Sequence, residues 1–199
     1  MIKLENCSKA YGSKTILDNI NYTFYNNIYW LRGHNGIGKS VLCRCMLGLE
    51  NFSKGEIKGM GKNVLYLPDT SIADFWLTVK ENINILKYLF DISIDDEKQN
   101  DILNKLQLMD MDELASRLSV GTSMKIGLFL LFIQNKWDLI VLDETLSHID
   151  KDCEKNILNE LKKRSSEGTC IIVINHGEIS IEDTCIKKIE LTQRGIVNE

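Results

Sequence analysis

Continuous apolar runs alternate with amphipathic stretches along most of this chain. Four runs predict strands, namely NIYWLRG (27–33), NVLYLP (63–68), DLIVLDE (138–144) and TCIIVINH (169–176). The last two are rich in Ile and Val, which is typical of strands that are buried on both faces of a parallel sheet. Between them, the segment DKDCEKNILNELKKRSSEG predicts a helix that ends at Gly168. Strand–helix–strand alternation of this kind predicts an α/β fold.

Two further regions have patterns of their own. From about 74 to 117 the pattern is helical, as in TVKENINILKYLF and DDEKQNDILNKLQL, and we interpret this range as a short α-helical subdomain. Near the N-terminus, KLENC, TILDNINYTFY and GEIKG alternate polar and apolar residues, which predicts a small antiparallel β subdomain. We therefore expect one domain over residues 1–199, with a mainly parallel sheet at its core.

Composition narrows the possible functions. The 199 residues are 44% hydrophobic and carry a net charge of −4, so there is no general attraction to nucleic acid, and no nucleic-acid partner is expected. The apolar stretch IGLFLLFI (126–133) is too short to cross a bilayer, which needs about twenty residues. The six cysteines lack the paired spacing of a zinc site, so we expect reduced thiols.

The segment GHNGIGKS (33–40) has the spacing of a phosphate-binding loop, G-x-x-x-x-G-K-S. Gly33 and Gly38 allow backbone N–H groups to turn inward around the phosphates, while Lys39 reaches the β- and γ-phosphates. The hydroxyl of Ser40 is suited to ligate Mg²⁺. A predicted strand precedes the loop and an amphipathic run follows it, which is the context that the motif requires. The other residues expected along the nucleotide are His34, Asn35, Gly36, Ile37 and Val41.

Polar residues follow two of the predicted buried strands. Asp143 and Glu144 end the run DLIVLDE. Beside a phosphate loop, Asp143 is expected to contact Mg²⁺ and Glu144 to polarise the attacking water. His176 follows the next predicted strand, at the edge of a parallel sheet where ligands bind, and could donate to a γ-phosphate oxygen. A purely structural role for this single histidine stays open at this point.

In their order along the chain, these motifs resemble those of the ATP-binding subunits of ABC transporters. LSVGT (118–122), followed by Lys125, is similar to the signature LSGGQ of that family. TLSHID (145–150) is similar to its D-loop, YLPD (66–69) to its Q-loop, and TVKENI (78–83) to the start of its helical subdomain. The resemblance covers essentially the whole chain. It implies a P-loop NTPase core, ATP and Mg²⁺ as cofactors, and ATP hydrolysis as the reaction.

The resemblance also implies roles for particular residues. Ser119 and Gly121 would contact the γ-phosphate of an ATP held by another subunit, either a second copy or a paralogue. Tyr11 stands where an aromatic ring stacks on adenine, and His176 stands where the family has its switch histidine. Asp150 occupies the fixed aspartate position of the D-loop.

Three positions depart from the family pattern. Asp69 replaces the glutamine of the Q-loop, but its carboxylate is still an oxygen ligand that suits Mg²⁺. Val120 replaces the first glycine of the signature and has less backbone freedom, so we expect weaker engagement of the γ-phosphate. Val41 replaces a residue that commonly carries a hydroxyl, which removes one possible contact to the α-phosphate.

The function implied by the resemblance is ATP hydrolysis that powers a separate membrane-spanning permease, with this subunit in the cytoplasm on the inner face of the membrane. Three alternatives stay open: a soluble ABC-type ATPase that remodels a protein or nucleic-acid partner, a small P-loop kinase, and a nucleotide-binding module without a transport role. A kinase would have no use for a signature or a D-loop. A module that does not hydrolyse ATP would be expected to lack Glu144 or His176, and both are present.

Overall fold

A computed structural model describes residues 1–134, 136–175 and 186–199. The strands are β1 (Ile2–Tyr11), β2 (Lys14–Phe24), β3 (Ile28–Arg32), β4 (Lys54–Lys58), β5 (Val64–Leu67), β6 (Leu139–Asp143), β7 (Cys170–Ile174), β8 (Ile186–Thr192) and β9 (Gly195–Asn198). The α-helices are α1 (Lys39–Met46), α2 (Val79–Leu89), α3 (Asp96–Leu106), α4 (Val120–Leu128) and α5 (Lys151–Ser166). Short 3₁₀ turns cover Ala115–Arg117, Phe129–Phe132 and Thr145–His148.

Within the described residues, the larger sheet contains six strands in the order β5-β6-β7-β3-β8-β9. The first five of these strands are mutually parallel, whereas β9 pairs antiparallel with β8 at the edge. Parallel neighbours need long crossover connections, and these carry the helices onto the faces of the sheet. The predicted mainly parallel core is therefore confirmed. Strands β8 and β9 extend it beyond the four predicted strands, since their mixed polar composition gives no continuous apolar run.

Alternate residues of the parallel strands enter two different cores. In β6, Ile140 and Leu142 pack into a cluster that includes residues of α2, α3, α4 and α5. Leu139 and Val141 pack on the opposite face, in a cluster that includes α1 and the small antiparallel sheet. All four side chains are fully buried. Because successive side chains point to opposite faces of a strand, burial on both faces explains the continuous apolar run.

The small sheet and the helical segment also form as predicted. The antiparallel sheet has the strand order β2-β1-β4. Helix α2 begins at a capping box in which Thr78 Oγ1 accepts from the Glu81 N–H at 3.2 Å, and Glu81 Oε2 accepts from the Thr78 N–H at 2.8 Å. Helix α3 begins at Asp95, whose side chain accepts from the Lys98 N–H.

The apolar stretch 126–133 ends helix α4 and continues as a 3₁₀ turn, and it is buried throughout. Its side chains belong to the cluster on the helical side of the large sheet. Among the described helices, none has both the length and the apolar character needed to cross a bilayer.

Candidate nucleotide-binding site

The predicted phosphate loop connects the end of β3 to the start of α1. Gly33 has φ 140° and Gly38 has φ 110°, a backbone region that favours glycine. Close packing adds a second requirement. A Cβ on Gly33 would lie 2.7 Å from the Leu191 carbonyl oxygen, and one on Gly38 would lie 2.8 Å from Cγ2 of Ile16. Both glycines of the motif are thus needed to fit the loop between β8 and the antiparallel sheet.

Lys39 lies across this loop. Its Nζ donates to the carbonyl oxygens of Gly33 at 2.8 Å and His34 at 3.3 Å, and the residue is 8% exposed. A phosphate anion would offer this ammonium stronger, charge-assisted hydrogen bonds than neutral carbonyls do. The loop therefore holds a positive charge ready for an anionic ligand.

Asp143, at the end of β6, is buried beside the start of α1. Ser40 Oγ donates to Asp143 Oδ1 at 3.1 Å, and the hydroxyl of Tyr66 donates to Oδ2 at 2.9 Å. Burial raises the pKa of Asp143, and the charges of Glu144 and Asp69 act in the same direction. The hydrogen bonds from Ser40 and Tyr66 oppose this rise by favouring the ionised carboxylate.

Glu144 has a left-handed backbone with φ 57° and ψ 9°. An L-residue pays about 1–2 kcal/mol for that conformation. Its N–H donates to the Ile174 carbonyl oxygen of β7 at 2.9 Å, which helps to hold the turn. Strained positions of this type concentrate at functional sites because the strain fixes the direction of a side chain.

These elements meet in one cleft of about 260 Å³ at the carboxyl edge of the parallel sheet. Its lining residues are Ile16, Asn35, Gly36, Gly38, Lys39, Ser40, Val41 and Glu144. The structure thus brings together most of the predicted loop residues and the predicted catalytic carboxylate. Ile37 turns its side chain into the core, and its N–H donates to the His34 carbonyl oxygen at 3.3 Å. His34 Nδ1 lies 3.0 Å from the Asn35 carbonyl oxygen.

Two other predicted contacts lie at or beyond the rim of this cleft. Asp69 is exposed after β5, and it is near enough to Asp143 for its charge to raise the pKa of that buried group. Tyr11 ends β1, is 46% exposed and lies outside the lining of the cleft. The Tyr11 hydroxyl donates to the carboxylate of Glu50.

The signature residues lie at the start of helix α4 and are absent from the lining of this cleft within the described ranges. Ser119 is the N-cap of the helix, and its Oγ accepts from the Thr122 N–H at 3.1 Å. Gly121 packs tightly, because a Cβ there would lie 2.1 Å from the His148 carbonyl oxygen. The signature therefore rests directly on the D-loop of its own chain.

Asp150 joins the same region to helix α5. Its Oδ1 accepts from the Cys153 N–H at 2.9 Å as the N-cap of α5, and its Oδ2 lies 2.6 Å from Nζ of Lys125. The hydrogen bond from Lys125 lowers the pKa of Asp150. His176, the predicted switch histidine, lies outside the described residues. The preceding residue, Asn175, accepts a hydrogen bond from Ser147 Oγ at 2.6 Å.

Two residues at the site were missed by sequence reasoning, namely Tyr66 and Ile16. The signal for Tyr66 was the alternation of strand residues. Tyr66 of β5 lies beside Val141 of β6, and it contacts the same core as Val141, on the side of the sheet where α1 packs. Asp143, two residues after Val141, points to the same side. No comparable signal identifies Ile16, because its contact with the loop depends on how the two sheets pack together.

A glycine loop between a central parallel strand and a helix, with an acidic pair ending a nearby strand, defines the class of P-loop nucleotide-binding proteins. Within that class, the family model described as ABC transporter matches residues 17–147. The chain belongs to the ABC transporter family. The predicted class, an ATP-binding ATPase subunit of an ABC transporter, is thereby confirmed.

Similar proteins agree with this assignment. The chain is 26% identical to the methionine import ATP-binding protein MetN of Clostridium acetobutylicum, covering 100% of this chain and 68% of that protein. It is 32% identical to an ABC transporter ATP-binding protein of Methanocaldococcus jannaschii, over 92% of this chain and 71% of that one. It is 28% identical to the spermidine/putrescine import ATP-binding protein PotA of Pasteurella multocida, over 89% of this chain. This match spans only 52% of PotA.

Solved structures share the fold. An ATP-binding subunit of an ABC transporter superposes with a TM-score of 0.85 at 18% identity, covering 100% of this chain and 89% of the other. A dimeric ATP-binding cassette, in a post-hydrolysis state bound to ADP and Pi, superposes with a TM-score of 0.80 at 19% identity over 100% and 98% of the two chains. The predicted fold is therefore confirmed.

Proposed function

We propose that this chain binds Mg-ATP at the phosphate loop and hydrolyses it to drive a separate permease. The proposal rests on one observation: Lys39, Ser40 and Glu144 line the same cleft, and Ser40 donates a hydrogen bond to Asp143. Lys39 neutralises the β- and γ-phosphates, and Glu144 polarises the attacking water. A positioned general base contributes about 10²–10⁴-fold to such a reaction. His176, in the segment after β7, donates to the γ-phosphate.

The donor set at this edge suits a hard cation such as Mg²⁺, because it consists of hydroxyl and carboxylate oxygens. Ser40 and Asp143 would hold the ion, and Asp69 would contribute from the rim. Within the described residues, no group of three or more His, Cys, Asp or Glu side chains is arranged to hold a metal ion. When bound, Mg²⁺ neutralises charge that develops on the phosphates.

The rest of the nucleotide extends from the loop towards the antiparallel sheet. The loop residues His34, Asn35, Gly36, Ile37 and Val41 surround the phosphates. Tyr11 stacks on the adenine from the tip of the β1–β2 hairpin.

Hydrolysis takes place between two ATPase subunits. Ser119 and Gly121 lie away from the cleft of their own chain, so they serve the γ-phosphate held by a neighbouring subunit, and Asp150 supports this face through Lys125. The dimeric form of a structurally similar cassette supports this arrangement. The neighbour is a second copy or a paralogue.

The proposed permease partner rests on two observations. Relatives of this chain are named as import ATP-binding proteins. The helical region of this chain also exposes large apolar side chains. Ile85, Tyr88 and Leu89 share one face of α2, and Phe75 and Trp76 precede that helix. Exposed apolar surface of this kind marks protein contacts. Docking here would hold the subunit at the inner face of the membrane.

We further propose that residues 1–199 act as one ATPase domain whose helical subdomain, about 74–117, faces the permease. The alternative functions differ in what this surface would contact. A soluble remodelling ATPase would present it to a soluble protein or a nucleic acid. A nucleotide-binding module without a transport role would have no permease bound there.

The two-subunit reaction is tested with Glu144→Gln, which keeps the side-chain shape but removes the carboxylate that polarises water. We expect this variant to lose hydrolysis and to form a dimer with ATP that returns to monomer with ADP, as measured by light scattering. Adding Ser119→Arg should abolish that dimer while ATP binding persists. A Glu144→Gln protein that remains monomeric at saturating ATP would refute the homodimer and leave the paralogue.

The permease partner is tested by placing a photo-crosslinking amino acid at Trp76, with the same change at Val197 as the matched control. Both residues are exposed apolar positions, and Val197 lies on β9, outside the helical subdomain. We expect crosslinking in cells to link the Trp76 site to an integral membrane protein, and the Val197 site to do so much less. A crosslink to a soluble protein or to nucleic acid would favour the remodelling alternative.

A further inference from the structure

The carboxylate of Glu50 joins the phosphate-loop helix to the tip of the antiparallel sheet. Arg44, in the last turn of α1, donates through Nε to Glu50 Oε1 at 2.7 Å. The hydroxyl of Tyr11, at the end of β1, donates to Glu50 Oε2. Nζ of Lys9, also on β1, lies 3.0 Å from the same oxygen. One carboxylate thus accepts hydrogen bonds from both helix α1 and strand β1.

We propose that Glu50 is a positioning residue that fixes the ring of Tyr11 as the platform for the nucleobase. The inference rests on the proposed binding of ATP and deepens it, because it names what sets the geometry at the base end of the site. Glu50 acts through Tyr11 and touches no part of the nucleotide itself.

The position of Glu50 is itself determined by helix α1. The N–H groups of Leu49 and Glu50 donate to the Arg44 carbonyl oxygen at 3.0 and 3.2 Å, so the chain folds back onto the end of the helix. Lys39 and Ser40 lie in the first turn of the same helix. A short rigid element therefore connects the residues that hold the phosphates to the carboxylate that holds Tyr11.

The hairpin is also fixed at a second point. Ile16, on β2 just after the turn, lines the phosphate cleft and packs against Gly38. Contact at Ile16 alone would leave the Tyr11 side chain free to rotate about its own bonds. The hydrogen bond to Glu50 removes that freedom, and rigid placement before binding lowers the entropy cost of stacking.

Lys9 determines which face of the ring is available. Its Nζ lies 4.8 Å from the centre of the Tyr11 ring, and it also donates to the Asn51 carbonyl oxygen at 2.8 Å. One face of the ring is thus occupied by a cation that Glu50 and Asn51 hold in place, and the other face remains for a base. Hydrogen bonds from Tyr11, Arg44 and Lys9 lower the pKa of Glu50 to about 2, so the carboxylate stays ionised at physiological pH.

The test compares a ligand that has a base with one that does not. Binding of a non-hydrolysable ATP analogue and of tripolyphosphate is measured by calorimetry for the wild type, Glu50→Gln and Tyr11→Phe. The control is Glu56→Gln, which removes a lysine-paired carboxylate on the antiparallel sheet, away from Tyr11. We expect Glu50→Gln to weaken binding of the ATP analogue about fivefold, in line with the loss of part of one base–aromatic stack. Tyr11→Phe should act in the same direction, and tripolyphosphate affinity should not change.

A double-variant measurement separates positioning from general stability. On a Tyr11→Ala background, Glu50→Gln should have no further effect on affinity for the ATP analogue, because its target is already absent. The proposal would be overturned if Glu50→Gln weakened binding of the ATP analogue and of tripolyphosphate equally. It would also be overturned if Glu50→Gln weakened binding of the ATP analogue as much on the Tyr11→Ala background as in the wild type. Unchanged ATP affinity in Tyr11→Ala would overturn it too, although phosphate-loop binding would stand. A wild type that binds neither ligand would overturn the proposed function as well.

Discussion

Two regions of this molecule differ in how complete they are within one chain. They are the phosphate-loop edge, which is residues 33–41 with Asp143 and Glu144, and the signature segment, which is residues 118–125. At the phosphate-loop edge, helix α1 and the end of strand β6 deliver Lys39, Ser40 and Glu144 to a common cleft. In the signature segment, Ser119 caps its own helix and Gly121 lies against its own D-loop. The first region is assembled by sheet topology, whereas the second is shaped by its contact with the D-loop, and its proposed ligand is an ATP held by another subunit.

This difference explains why the two regions tolerate different departures from the family pattern. The loop retains both glycines and the lysine, because each meets a strict steric or charge requirement within the chain. Val120, in the signature segment, is 61% exposed and contacts little of its own chain. We therefore expect any cost of that substitution to fall on the proposed contact with another subunit. The following predictions test whether the phosphate-loop edge and the signature segment act separately, from the largest expected effect to the smallest.

Lys39→Ala should have the largest effect and should act on the phosphate-loop edge alone. Hydrogen bonds to charged groups are worth about 1.5–3 kcal/mol each, so affinity for ATP should fall at least tenfold. Titration with a fluorescent ATP analogue measures this loss. The control is Lys62→Ala, at an exposed lysine before β5, which should bind normally. Unchanged affinity in Lys39→Ala would contradict the phosphate-loop assignment.

Gly121→Ala should act on the signature segment alone. The new Cβ would lie 2.1 Å from the His148 carbonyl oxygen, so α4 or the D-loop must move. Overpacking of this kind costs about 1–3 kcal/mol of unfolding free energy, which denaturant titration measures. The ATP-dependent dimer of Glu144→Gln should weaken, while ATP affinity of the monomer is retained. Val120→Ala, at the exposed neighbouring position, serves as the control, and an equal effect there would refute the steric argument.

Backbone strain at Glu144 gives a smaller effect. Glu144→Gly and Glu144→Ala both remove the carboxylate, but only glycine also lacks the Cβ and adopts φ 57° without cost. The glycine variant should therefore be about 1 kcal/mol more stable than the alanine variant. Both should be inactive in hydrolysis. Thermal unfolding of the pair measures the difference, and equal stabilities would mean that the turn relaxes when the carboxylate is removed.

The buried charge of Asp143 should make stability depend on pH. The pKa of Asp143 is higher in the folded state than in the unfolded state, because burial disfavours the charged form. Its contribution to the free energy of unfolding is therefore complete below the pKa of the unfolded state, and it is lost as pH rises through the pKa of the folded state. Asp143→Asn removes the charge and should be more stable than the wild type at neutral pH. The difference should shrink as the pH approaches 4. Denaturant titrations across this range would contradict the prediction if the difference did not change with pH.

Asp69 should have the smallest effect, because it is exposed and water screens its charge. If it contacts Mg²⁺, Asp69→Ala should raise the Mg²⁺ concentration for half-maximal hydrolysis, and Asp69→Gln should raise it less. Identical Mg²⁺ curves for all three proteins would remove Asp69 from the ion site.

Much of the large sheet could be predicted because its inner strands β6 and β7 are buried on both faces, so residues 139–142 and 170–174 are continuously apolar. The phosphate loop was equally clear, since its glycine spacing follows from local backbone geometry. Strands β8 and β9 escaped prediction because their alternating polar residues resemble ordinary loop sequence. Tyr66 and Glu50 also escaped, because their partners are 77 and 39 residues away along the chain.

The sequence by itself determined the order of elements as far as β7, the loop that turns around phosphates and the acidic pair that ends β6. Each of these depends on neighbours within a few residues, through side-chain period, glycine dihedrals or helix capping. Only the tertiary structure decided that Tyr66 and Ser40 share the two oxygens of Asp143. Only the tertiary structure likewise decided that Glu50 accepts a hydrogen bond from Tyr11 and that Gly121 lies against the D-loop. Such contacts join elements that are distant in sequence, and local pattern carries no information about which distant surfaces will meet.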